Sequence, residues 1–147
     1  MSPEPSELTF HKIQQQHQRL ADLLNQIETL LEQRSGPIDE VVRLLGRLGD
    51  QLIKHFETEE AGGYFAEALL HAPQLVERAN ALMLQHPRMT HSSRKLGGAV
   101  DPETSPEAWW EQTRERFVAF RAELHEHERA EDGLIQEVYM RDIGSHD

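Results

Sequence analysis

The feature that most constrains this chain is a recurrence: four amphipathic segments, each with one histidine set into its apolar stripe. The first stripe reads Phe10, Ile13, His17, Leu20, Leu24, Ile27, Leu31. The second reads Ile38, Val41, Leu45, Leu48, Leu52, His55, Glu59. The third is shorter and less regular: Leu75, Ala79, Leu82, His86, then Met89 or Thr90. The fourth reads Phe117, Phe120, Leu124, His127, Glu131, Leu134, Val138. Steps of three and four residues mark helices with one face in a shared core. Imidazoles and carboxylates in such a core need partners, because unpaired polar groups are costly to bury. A transition-metal ion supplies such a partner. The stripes therefore predict a metal centre inside an all-α, up-down-up-down four-helix bundle.

Start and stop signals separate the four segments. The first helix is predicted from about residue 7 to 33, with Ser6 as a candidate N-cap. Ser35-Gly36-Pro37 breaks it. The second starts at Pro37, with Asp39 and Glu40 in its first turn, and runs to about Glu60, before Gly62-Gly63. A connector over 64–71 carries one or two turns at most. The third helix runs from near Pro73 to Gly97-Gly98. Ser105-Pro106-Glu107 announces the fourth, which reaches about Met140. There is no internal repeat, and one domain over 1–147, with its core at about 7–141, accounts for the 147 residues.

Composition narrows the function. The chain has no cysteine, which excludes disulfides, thiolate zinc sites, thiolate-held iron–sulfur clusters and cysteine nucleophiles. The formal net charge is −11 and the 15 basic residues form no dense run, so neither nucleic acid nor an anionic membrane is expected as partner. No apolar stretch is long enough to span a bilayer. The N-terminal residues read as neither a secretory signal nor a transit peptide, and a cytoplasmic location is the expectation.

Two further observations converge on the histidines. With helices alternating in direction, His17, His86 and His127 fall at a similar depth from one end of the bundle, at about 1.5 Å per residue, with His55 somewhat nearer that end. Scattered histidines would have no reason to share a level. Moreover, His55 with Glu59 and His127 with Glu131 are i,i+4 pairs, neighbours on one helix face. Such a pair can place a nitrogen and an oxygen on one ion, or let the carboxylate bridge two. Nitrogen and oxygen donors without sulfur suit iron, manganese or zinc.

At this point the chain resembles the hemerythrin-like, or HHE cation-binding, domains. The resemblance rests on His17, on His55-Phe56-Glu57-Thr58-Glu59-Glu60, on His86, and on His127-Glu128-Arg129-Ala130-Glu131, in that order over about residues 7 to 141. It implies a non-haem diiron centre held by histidines and two bridging carboxylates: His17, His55, Glu59, His86, His127 and Glu131. It further implies binding or sensing of dioxygen or a related small ligand. The alternative within the family is a diiron redox enzyme or an iron donor in oxidative or nitrosative stress. Repair proteins of the family usually carry a cysteine-containing N-terminal segment, which is not found here. A metal-free acidic bundle that binds a protein partner is the remaining reading.

The chain departs from the family pattern in two places. Oxygen-binding relatives have a second histidine one turn after the third-helix ligand, where Thr90 stands here. His91 is at i+5, about 140° round an ideal helix from His86. A π-bulge at Pro87 would turn it back toward the core as a fifth imidazole. Some hemerythrins also use an aspartate at i+5 on the fourth helix, which makes Asp132 the second choice after Glu131. His11, His71, His125 and His146 are expected in solvent. Tyr64 and Phe65 are expected to cover the bundle end, and Trp109 and Trp110 to pack.

Overall fold

A computed structural model describes residues 5–61, 69–70, 72–96 and 103–145, with side chains between residues 11 and 137. Tyr64, Phe65, His71 and His146 lie outside the described side chains. Four long helices carry the fold: α1 (Pro5–Gln33), α2 (Ile38–Ala61), α3 (Val76–Leu96) and α4 (Pro106–Ser145). A single 3₁₀ turn at Pro73–Leu75 leads into α3. There is no strand among the described residues. Each helix packs on the next in chain order, and α4 closes the ring against α1. This is the four-helix bundle that the stripes predict.

The helix ends follow from local chemistry. Arg34 leaves α1 in the left-handed region, at φ 49°, and the Ser35 N–H reaches back to the Leu30 carbonyl at 3.2 Å. Such a six-to-one bond satisfies a carbonyl that the helix would otherwise leave unpaired. Gly36 follows at φ 82°, a conformation that a side chain resists. Ser105 caps α4: its hydroxyl accepts the Ala108 N–H at 3.2 Å, and Pro106 occupies the first helical position, where a missing N–H costs nothing.

Leucine dominates the interior. Leu20, Ile27, Leu44, Leu48, Leu52 and Phe117 are at most 1 % exposed, and each such side chain stabilises the fold by roughly 1.5–3 kcal/mol through its burial. The apolar interior forms two separate clusters. The larger contains Leu20 to Leu31 of α1, Val41 to Phe56 of α2, Met89 and Leu96 of α3, and Trp109 to Leu124 of α4. The smaller contains Ile13, Ala72, Leu75, Ala79, Leu82 and Leu134. Along every helix, the stripe histidine falls between the two clusters or at their edge. On the third stripe, Met89 takes the core position and Thr90 is half-buried.

Candidate metal centre

The layer between the clusters is polar and buried. His55, Glu59, His86, His127 and Glu131 are each at most 4 % exposed, and His17 is half-buried. The helices bring them together in two overlapping groups. His17, His55, Glu59 and Glu131 form one; Glu59, His86, His127 and Glu131 form the other. Within each group one donor atom per residue lies within 4.8 Å of the others. Both groups share the same two carboxylates.

The Nε2 atoms face inward. His17 Nε2 and His55 Nε2 are 3.0 Å apart, and His86 Nε2 and His127 Nε2 are 3.2 Å apart. Glu59 Oε1 is 2.5 Å from His55 Nε2, and its Oε2 is 3.8 Å from His86 Nε2. One carboxylate thus faces a histidine of each group. Glu131 Oε1 touches His127 Nε2 and is 3.5 Å from His86 Nε2. Phe56 stacks on His86, with ring centroids 3.9 Å apart and planes 8° from parallel, and fixes that ring's face.

Electrostatics shows what the site lacks on its own. Burial, followed by the nearby Glu131, drives the Glu59 carboxyl far above the usual carboxylate range. Burial opposes the charge of Glu131 as well, but His127 and His86 outweigh it and hold that group ionised. The pair shares one proton rather than carrying two charges. Burial holds His17 below the ordinary histidine value, and burial with the His17 charge lowers His55 to about 3. Both Glu59 oxygens, Glu131 Oε1 and His86 Nδ1 are buried without a well-formed hydrogen bond. Buried polar atoms normally find partners. A divalent cation beside each pair of Nε2 atoms would satisfy the carboxylate oxygens and neutralise both charges, so the donor set fits metal.

The other expected candidates lie elsewhere. α3 remains α-helical through Pro87, and His91 is exposed. It lines a surface groove of α2 and α3 with Glu57, Glu60, Pro87 and Arg94. Asp132 is exposed and belongs to neither group. His11 and His125 are exposed as well.

Two glutamines complete the layer. The Nδ1 of His55 is 3.0 Å from Gln16 Oε1, and the Nδ1 of His127 is 2.7 Å from Gln85 Oε1. The sequence reading missed both. Its one available signal was the repeated Gln-His dipeptide, Gln16-His17 and Gln85-His86.

Together, the bundle and its buried histidine–glutamate layer define a cation-binding helical domain. Residues 8–89 match the family of the hemerythrin HHE cation-binding domain, and the chain belongs to that family. Comparisons with curated proteins and with solved structures returned no match. The matched stretch ends before α4, so the placement of His127 and Glu131 in the layer rests on geometry alone.

Proposed function

We propose that this protein holds two non-haem iron ions and uses them to bind or sense dioxygen or a related small ligand. The observation that carries this reading is the pair of overlapping donor groups with both carboxylates in common. Six donors are too many for one tetrahedral ion. Split in two, they give each ion two imidazoles and a share of both carboxylates. In this reading His17 and His55 would hold one ion, His86 and His127 the other, and Glu59 and Glu131 would be common to both. Nitrogen and oxygen donors without thiolate suit iron. When bound, iron supplies reversible electron exchange with a diatomic ligand.

The side chains around the layer define the rest of the role. Two imidazoles and two shared carboxylates would leave an ion open to a further, outside ligand. Apolar clusters lie on either side of the layer. With Thr90 where a further imidazole would stand and His91 in solvent, the α3 side of the layer supplies only His86. We assign the whole chain to this one domain and place its work in the cytoplasm, in keeping with the absence of cysteine.

The test is anaerobic reconstitution with ferrous iron, elemental analysis, and optical spectra before and after admission of air. Two irons per chain and a reversible new absorption band are expected. At most one iron per chain would overturn the diiron reading. Sustained oxygen or peroxide turnover would replace the binding role by an enzymatic one.

A further inference from the structure

We propose that Gln16 and Gln85 are positioning residues of the centre, each holding the histidine of the adjacent helix with its proton on Nδ1 and its Nε2 lone pair turned inward. The inference rests on the metal-binding reading above, and it concerns two residues outside the donor groups.

The two halves of the bundle repeat one arrangement. In α1 and α2, the residue just before His17 reaches the Nδ1 of His55 at 3.0 Å. In α3 and α4, the residue just before His86 reaches the Nδ1 of His127 at 2.7 Å. The two histidines so held are those followed one turn later by a shared carboxylate. An amide oxygen can only accept a hydrogen bond, so the imidazole nitrogen facing it must carry the proton. A neutral imidazole has one N–H, so a metal ion entering the layer would find Nε2 as the free donor atom.

The amide of Gln16 is itself oriented. Its Nε2 donates to Thr58 Oγ1 at 3.0 Å, and the Thr58 hydroxyl donates to the Lys54 carbonyl at 2.8 Å. With its proton committed to Lys54, the Thr58 oxygen acts as acceptor. The Gln16 nitrogen therefore faces Thr58 and the Gln16 oxygen faces His55. His86 marks the contrast. Its Nδ1 has no hydrogen bond, with Glu60 Oε1 3.5 Å away and Phe56 against its face. Amide anchoring is thus specific to the α2 and α4 histidines rather than a general property of the layer.

The experiment compares wild type, Gln16→Leu, Gln85→Leu, Gln16→Glu and Gln85→Glu. Histidine nitrogen spectra of the metal-free, isotope-labelled protein report the tautomers directly. Wild type is expected to show His55 and His127 protonated on Nδ1. Gln16→Leu should release His55 alone and Gln85→Leu should release His127 alone. The glutamate variants retain an acceptor and should restore the tautomer. Cobalt(II), used as the probe metal, should bind each leucine variant roughly 10- to 100-fold more weakly, the usual scale for loss of a partner to a ligating histidine. His55 or His127 without a proton on Nδ1 in wild type would overturn the proposal without recourse to any variant. So would leucine variants with wild-type tautomers and cobalt affinity. Failure of wild type to take up iron would overturn the iron reading instead, since the tautomer spectra need no metal.

Discussion

Glu59→Gln is expected to stabilise the metal-free protein while destroying its capacity for metal. The Glu59 side chain is fully buried, and its carboxyl is pushed up to about 11 from an ordinary value of 4.5. The direction of the pH effect follows. Below the ordinary value both folded and unfolded chains hold the proton. As pH rises, the unfolded chain releases it and the folded chain does not, so stability is lost progressively up to the raised value. The loss is about 1.4 kcal/mol per pH unit over that range. Glutamine has no proton to lose and keeps the shape of the buried side chain. Denaturant unfolding of chelator-treated wild type and variant should give curves within about 1 kcal/mol of each other near pH 5. Near pH 8 the variant should be the more stable by several kcal/mol. With ferrous iron added the order should reverse, because the variant lacks one of the two carboxylates that would neutralise bound metal. A metal-free variant no more stable than wild type at the higher pH would refute the reasoning about Glu59.

Other substitutions test separate parts of the structure. Glu131→Ala should sharply reduce iron content by elemental analysis, whereas Asp132→Ala, at an exposed flank position, should retain it. Phe56→Ala removes a ring that is 3 % exposed and stacked on His86, and should cost about 3–5 kcal/mol in chemical denaturation. Gly46→Ala places a Cβ in open space within α2 and should raise stability by about 0.5–1 kcal/mol, read as a higher melting temperature.

The helices and the depth of the histidines were legible because both depend on periodicity. A residue every three or four positions must share a face, and alternating helices must bring His17, His55, His86 and His127 to one level. Glu131 over Asp132 follows the same rule, since about 40° and about 140° of helix rotation separate them from His127. What periodicity cannot report is how one helix addresses another. Gln16 and Gln85 lie beside the stripes, and only the α1–α2 and α3–α4 pairings bring their oxygens to an Nδ1. The close approach of α2 and α3, where a Cβ on Gly49 would stand 3.6 Å from Ser93 Oγ, was equally hidden. Pro87 was ambiguous because a proline within a helix admits either a continued α-turn or a bulge. The structure has the continued helix, and His91 faces solvent in consequence.

The division of the apolar interior bears on how the molecule opens. The smaller cluster joins the early turns of α1 and α3 to the later part of α4, and the polar layer separates it from the leucine-rich remainder. An apolar core without a break transmits cooperativity along its length. Here, in metal-free protein, the two blocks are coupled through buried carboxylate and imidazole contacts. A pair of cations would act as a rivet between them and turn two units of opening into one. Backbone amides near Ile13 and Ala79 should then exchange with solvent faster than those near Ile27 and Leu48 until metal is supplied, and at matched rates afterwards. Loss of metal would thus loosen one end of the bundle first.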